Sequence, residues 1–307
     1  VLLVNNIKKL KTPILFLVFN RLDTTKQVFE EIKKVKPKKL FVAADGPRNA
    51  TEKKKTNAVR KYILNNIDWD CEVKTLFRTK NLGCGKAVSS AITWFFDNVN
   101  MGIILEDDCL PSQSFFPFCE ELLKKYKNNK KIMQIAGFNP VSSKLKVNES
   151  YLFSYLGGIW GWATWKRAWE KYDFDIKEFE KSKTQKKLKK IGFSEQMIEF
   201  KLKTFELIKN KQVDTWDYQW DFAKLYNSGL TIIPRENLIK NIGFGAGSTN
   251  NLGSGKRFLL IKLDRVNFPL IHPKKIVINN QFDYLFFNFF NRSLISKVID
   301  FFYFKFK

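Results

Sequence analysis

The chain has 307 residues, 44% of them hydrophobic and 27% charged, which excludes a disordered protein and allows one large α/β domain or two smaller ones. With 54 Lys and Arg against 30 Asp and Glu, the net charge of +24 calls for an acidic partner: nucleic acid, nucleotide phosphate, anionic lipid or anionic glycan. Four cysteines without a CxxC pair and a single histidine, His272, argue against a structural zinc site or a disulfide scaffold and fit a reducing cytosol.

Thr12–Phe19 (TPILFLVF) reads as a fully buried strand of the kind found in parallel sheets. Asn20-Arg21-Leu22-Asp23 ends it, and Thr24 or Thr25 is a candidate cap for a helix over Gln27–Val35. Val28, Phe29, Ile32 and Val35 share one face of that helix, and Pro37 stops it. Leu40–Ala44 is a second buried strand, closed by the turn Asp45-Gly46-Pro47. A charged helix over Glu52–Asn65, a strand over Cys71–Phe77 and a glycine turn, Asn81-Leu82-Gly83-Cys84-Gly85, lead into a helix over 86–96. Residues 102–105 form a short aliphatic strand that ends in Glu106-Asp107-Asp108. Alone, such a triplet suits a solvated turn as well as a cation site, where three carboxylates would share a hard divalent ion.

This βαβα alternation predicts an α/β fold with an open, mostly parallel sheet flanked by helices. Ligands bind such sheets beyond the carboxyl ends of the strands, where Arg21, Asp45, Asn81 and Glu106–Asp108 all fall. Further on, 114–127 reads as an amphipathic helix and Lys131–Ala136 as a strand. Tyr151–Trp169 is dense in aromatics and glycines, and 177–211 is helical with eleven Lys against five Glu, a solvated face. Then come Asp214–Asp221 (DTWDYQWD), a strand over Leu230–Pro234 and a loop over Asn241–Asn251. In the tail Gln281–Lys307, Phe282, Leu285, Phe286, Phe289 and Phe290 make one helical stripe, and Leu294, Val298, Phe301 and Phe302 another. Residues 251–307 hold ten Lys or Arg against three Asp, which suits either an anionic membrane interface or a helix packed on the domain.

Four stretches together resemble the nucleotide-diphospho-sugar transferases of the GT-A fold, a Rossmann-like family. These include the Golgi N-acetylglucosaminyltransferase that initiates complex N-glycans and related bacterial sugar transferases. The stretches are the first strand with Asn20-Arg21, the second with Asp45-Gly46, Glu106-Asp107-Asp108 as a version of the DxD motif, and Gly158–Trp162 paired with Trp216–Trp220. They cover about residues 12–250. The resemblance implies three regions: 12–140 as the nucleotide-sugar-binding half, 141–250 as the acceptor and catalytic half of the same domain, and 251–307 as a helical, basic-aromatic extension.

It also implies a nucleoside diphosphate sugar as donor, UDP-linked, with Mn2+ or Mg2+ bridging its phosphates. Asp108 would be the metal ligand. Glu106 and Asp107 would contact ribose, metal-bound water or the sugar, Asp45 the base, and Arg21 the nucleotide. Gly157–Trp162, with Gly158 and Trp160, would form a floor under the donor sugar, although most Trp there also suit ordinary core. Phe244–Ser248 would close over the diphosphate. Asp217 would be the base of an inverting transfer. On its own chemistry, an Asp among Trp216, Tyr218 and Trp220 is partly desolvated, which raises its pKa and makes it a better base. It is equally a candidate cap for a helix from Tyr218, and Asp214 and Asp221 are rivals. Tyr218 stands where the family often has a second acid. Lys86 is a candidate phosphate contact, although its glycine turn lacks the full P-loop pattern.

The expected activity is therefore metal-dependent glycosyl transfer to a glycan or lipid-linked glycan in surface polysaccharide or lipooligosaccharide synthesis. A sugar nucleotidyltransferase shares the sheet but uses a glycine-rich loop after the first strand, which 20–27 lack. A non-enzymatic anionic-polymer binder ranks last, because no nucleic-acid module is present. Val1–Val4 is too short for a leader and no apolar run reaches about 18 residues. The expected location is cytoplasmic, on the inner face of the membrane.

Overall fold

The structure, a computed structural model, describes residues 9–244 and 256–291. In chain order its first half comprises β1 (Ile14–Val18), α1 (Leu22–Val35), β2 (Lys39–Ala44), α2 (Ala50–Asn65), β3 (Glu72–Phe77), α3 (Gly83–Asn98), β4 (Met101–Glu106), β5 (Cys109–Pro111), α4 (Phe115–Lys125) and β6 (Ile132–Ala136). The second half comprises β7 (Tyr151–Ser154), β8 (Trp162–Trp165), α5 (Lys166–Trp169), α6 (Lys181–Lys190), α7 (Glu195–Lys209), α8 (Asp217–Tyr226), β9 (Leu230–Pro234), β10 (Ile239–Asn241), α9 (Lys256–Leu259) and α10 (Asn280–Phe290).

Eight strands form one sheet in the order β3-β2-β1-β4-β8-β6-β9-β7, with β5 and β10 paired apart. β1 is parallel to β2 and β4, β2 to β3, and β6 to β9, whereas β8 and β7 run antiparallel to their neighbours. The sheet is therefore mostly parallel and helix-flanked. Its strand order reverses between β1 and β4, the point at which open sheets leave a crevice for a ligand.

Side chains alternate across each strand, so the sheet feeds a core on each face. Ile14, Phe16 and Val18 join Val28, Phe29 and Ile32 of α1 and Phe115 and Phe118 of α4 on one face. Leu15, Leu17 and Ile104 join Ile92 and Phe95 of α3 and Trp216 and Trp220 of α8 on the other. A Cβ on Gly102 would lie 2.2 Å from Phe95 Cζ, so glycine at the start of β4 is what lets α3 press onto the strand that carries the acidic triplet. A third cluster joins α6, α7, α8 and α10 around Phe205, Phe222, Phe282 and Phe286.

Several local expectations need correction. Thr24 and Thr25 do not cap α1: the helix starts at Leu22 with Arg21 as N-cap, and Thr25 Oγ1 donates back to Arg21 O at 2.6 Å. The glycine turn does not precede α3 but is its first turn. The Lys-rich helical stretch consists of two helices, separated at Gly192, whose φ of 86° only glycine adopts freely, the second capped by Ser194, which accepts from Met197 N. In the tail, α10 packs on the domain: Phe282, Phe286 and Phe287 are buried. Residues 292–307, with the second stripe, lie outside the described residues.

Candidate functional site

Strands β1, β2 and β4 each deliver one part of the site to the same rim. β1 ends at Val18, and the connection Phe19-Asn20-Arg21 runs straight into α1. Arg21 Nη1 meets Asp108 Oδ2 at 3.1 Å, and Phe19 N donates to Asp107 Oδ2 at 3.1 Å. Strand β4 extends through Glu106, which pairs in register with Leu17 of β1, so the first acid is still sheet while Asp107 and Asp108 turn into β5.

Packed in this way, the three carboxylates do not behave alike. Burial, then the charges of Asp108, Asp107 and Asp217, push Glu106 well above the ordinary carboxylate range against the opposing effect of Arg21. Burial and then Asp108 push Asp107 up to about 7. Glu106 Oε1 is covered and has no hydrogen-bond partner, which costs free energy unless something else faces it. The Asp108 side chain is mostly covered, 16% exposed, with Arg21 as its ion-pair partner. Gly243, beyond β10, lies over that pair: a Cβ there would sit 2.3 Å from Asp108 Oδ2 and 2.8 Å from Arg21 Nη1. Of the expected closing segment, Phe244 is described and 245–248 are not.

Asp45 follows β2. Its carboxylate accepts from Gly46 N at 2.8 Å and from Leu82 N at 3.0 Å through both oxygens. It thus ties the β2 loop to the β3 loop, a tie reinforced by Asn81 Nδ2 donating to Gly46 O at 2.7 Å. A carboxylate offers about four acceptor positions, so one remains for a ligand N–H. Lys86 stands exposed in the first turn of α3 and forms no ion pair among the described residues. The glycines before it serve another purpose. Gly85 N donates to Asp214 Oδ1 at 3.0 Å, and a Cβ on Gly83 or Gly85 would lie within 2.5 or 2.6 Å of the same carboxylate. The turn is shaped to receive Asp214 rather than a phosphate.

Asp214 is therefore committed to the start of α3. Asp221 is committed as well, paired with Lys201 Nζ at 2.5 Å. Asp217 is left as the acid facing the rim. It does not cap a helix from Tyr218, because α8 already begins at Asp217, with Trp216 as N-cap. Burial raises its pKa; Thr215 Oγ1 and backbone N–H groups at the start of α8 lower it, and the net direction is upward. The Cys84 thiol, pushed up to about 12 by burial and then by Glu106, Asp217, Asp214 and Asp45, marks the same meeting point.

The aromatic floor divides in two. Trp162, Trp216 and Trp220 are core, with Trp162 and Trp216 stacked at 5.8 Å. Trp160 is half-open and packs on Phe138, Phe244 and Phe258 with ring centroids 4.6–5.5 Å apart. Gly157 is pressed against Thr231, where a Cβ would lie 2.6 Å from Cγ2. Sequence reasoning missed Gln134: buried on β6, it donates to Gly158 O at 2.6 Å and accepts from Trp220 Nε1 at 2.9 Å, joining the floor to α8. An alternating strand pattern marks such a residue only as inward-pointing. A cavity of about 230 Å³ opens between Gly157–Trp160, Asp217 and Tyr218 of α8, Phe200 and Lys201 of α7, and Phe286 and Phe290 of α10.

Among the described residues no three His, Cys, Asp or Glu side chains are arranged to hold a metal by themselves. The donors fit a hard cation that arrives with a diphosphate and takes one protein carboxylate, with phosphate and water oxygens completing its shell.

No protein-family model and no curated protein matches the chain. Among solved structures it is similar to the inositol-1-phosphate CTP transferase from T. maritima (11% identity, 84% of this chain and 99% of that one, TM-score 0.41). It is similar also to a putative glucose-1-phosphate thymidylyltransferase from Bacillus anthracis (6%, 56% and 77%, TM-score 0.35) and to HddC from Yersinia pseudotuberculosis (10%, 52% and 80%, TM-score 0.31). Those TM-scores are too low to bear on activity.

Proposed function

We propose that the chain is a metal-dependent glycosyltransferase that moves a sugar from a nucleoside diphosphate, UDP-linked, to a hydroxyl of a glycan or lipid-linked glycan. One observation supports the reading: Asp217 of α8, more than a hundred residues further along the chain, lies near enough to Glu106 at the end of β4 for its charge to act there, as that of Asp108 does. A diphosphate-side acid and a desolvated base thus face one space.

In this reading Asp108 would hold the cation, Mn2+ or Mg2+, whose charge would offset that of the leaving diphosphate. Arg21 sits beside the same phosphates, and the free acceptor position of Asp45 takes a base N–H. Glu106 and Asp107 lie on the ribose and sugar side, Gly158 and Trp160 lie under the sugar, and Lys86 is a peripheral phosphate contact. Asp217 accepts the acceptor's hydroxyl proton as that oxygen bonds to the anomeric carbon and the bond to the diphosphate breaks, with inversion. The acceptor occupies the cavity between Trp160 and α10, where ring faces cover its apolar side.

The second reading is a sugar nucleotidyltransferase, the activity named for two of the similar structures. Against it stands the three-residue, glycine-free connection from β1 to α1. The two readings differ in products: UDP from a UDP-sugar plus acceptor, against pyrophosphate from a nucleoside triphosphate plus a sugar 1-phosphate. For the transferase reading, calorimetry is expected to show Asp108→Ala losing UDP–manganese binding. Asp217→Asn is expected to keep that binding and to lose about 10²–10⁴-fold in transfer. Unchanged UDP–manganese binding in Asp108→Ala would refute the metal-site assignment, and full transfer by Asp217→Asn would refute the base.

A further inference from the structure

Exposed apolar surface is spread unevenly over the described residues. Of the twelve large apolar side chains open to solvent, seven fall within 260–290, and three of these, Ile271, Ile276 and Val277, are 59%, 38% and 67% exposed. The segment from 260 to 279 has no helix or strand, yet its backbone is fixed. Ser150 N donates to Ile271 O at 2.8 Å, Ile271 N to Ser150 Oγ at 2.9 Å and Asn279 N to Phe153 O at 2.8 Å. Leu270 points inward at 6% exposure while its neighbour Ile271 points out. The apolar tips are therefore held outward by a pinned strap.

That strap lines an open trough along the edge strand β7, together with Lys146, Lys274 and Lys275; Glu149 is the one acid lining it. His272 in the trough lies within reach of the charges of both Lys125 and Glu121, the latter at 3.2 Å from its Nε2. β7 is antiparallel to β9, β9 parallel to β6, and β6 and β4 both antiparallel to β8. The N-terminal end of β7, where the trough lies, is thus at the rim where β4 ends in Glu106.

We propose that this strap is a membrane-docking surface for an anionic bilayer. Ile271, Ile276 and Val277 enter the headgroup–acyl boundary, and Lys146, Lys274 and Lys275 meet lipid phosphates. Charge complementarity favours this occupant. A two-fold contact with a second copy would bring Lys274 and Lys275 of each chain towards their counterparts. α10 is not the anchor, because its phenylalanines at 282, 286 and 287 are buried in the domain. The assignment does not depend on the reaction proposed above. It would place the rim that carries the carboxylates close to the bilayer.

The test is sedimentation of the full chain with phosphatidylcholine vesicles, with and without phosphatidylglycerol. Binding is expected only with the anionic lipid and is expected to weaken with salt. Ile271→Ser with Val277→Ser, and separately Lys274→Glu with Lys275→Glu, are each expected to lower the partition coefficient by about tenfold or more, with melting temperature unchanged. If the apolar pair lowers the melting temperature, the surface lysine pair decides alone. Failure to bind phosphatidylglycerol vesicles, or equal binding by the parent and the lysine variant, overturns the proposal. So does dimerisation in ultracentrifugation that the Ile271→Ser, Val277→Ser pair abolishes, since the face would then be a contact between copies.

Discussion

Lys224 on α8 is 1% exposed, and its ammonium donates to Thr231 Oγ1 at 3.0 Å. Burial lowers its pKa from 10.5 to about 8, against the pull of Asp221 and the charge of Asp283. The native state gives up this proton at a lower pH than the unfolded chain, so at neutral pH the buried charge costs stability. The cost lifts as pH rises through about 8 towards 10.5, by an upper bound of about 3 kcal/mol. Lys224→Met keeps the bulk and removes the titration. Urea unfolding from pH 7 to 10 should show the parent gaining stability relative to the variant, and parallel curves would rule out a depressed Lys224. A residue of this kind is hard to find in a sequence. The sequence offers a helix from Tyr218 among the tryptophans, but only the rotation of α8 on the sheet puts Lys224 inward with Trp220. The acids were easier, because a run of three at a strand end has few structural uses. Separating Asp217 from Asp214 and Asp221 required their partners, Gly85 and Lys201, which come from distant parts of the chain.

Among the elements, β1 and β2 are legible because a parallel strand buried on both faces reads as an unbroken apolar run, as in Ile14–Val18 and Leu40–Ala44. β5 and β10 are not legible. Each has three residues, and their pairing exists only once the end of β4 and residues 239–241 have met. α10 is half legible: Phe282 and Phe286 of the expected stripe are buried and Leu285 and Phe289 partly so, but Asp283 and Phe287 are buried with them and Phe290 is exposed. The polar member of the buried face is Asp283, which accepts from Ser154 Oγ and, at 3.0 Å, from Leu156 N. Through them the helix holds the backbone that leads into Gly157–Trp160. Asp283→Ala is therefore expected to cost about 1–3 kcal/mol in chemical denaturation and to weaken transfer more than UDP binding. Asp283→Asn, which retains an acceptor oxygen, should recover part of both. Stability and transfer equal to the parent in the Ala variant would mean that α10 packs through its rings alone.

At the scale of the whole molecule, 54 basic against 30 acidic side chains leave far more positive charge than the ion pairs can neutralise. α6 alone carries six lysines and no acid in ten residues. Several of its pairs, such as Lys189–Glu195 and Lys183–Glu178, lie between exposed side chains, where each contributes little. Self-repulsion of this size works against the compact state. Sodium chloride screens it over about 10 Å at 0.1 M, while the site-forming contacts, Arg21–Asp108 and Lys201–Asp221, are partly shielded from solvent and respond less. The two effects of salt oppose each other: it relieves repulsion between like charges and weakens surface ion pairs. With the imbalance so large the first should win. The melting temperature is expected to rise by a few degrees between roughly 0.02 and 0.3 M sodium chloride. Sucrose, which strengthens burial without screening charge, should raise it equally at either salt level. A melting temperature that stays flat or falls with sodium chloride would mean that the lysines are spaced widely enough not to repel. The positive charge would then have no folding cost for an anionic partner to relieve.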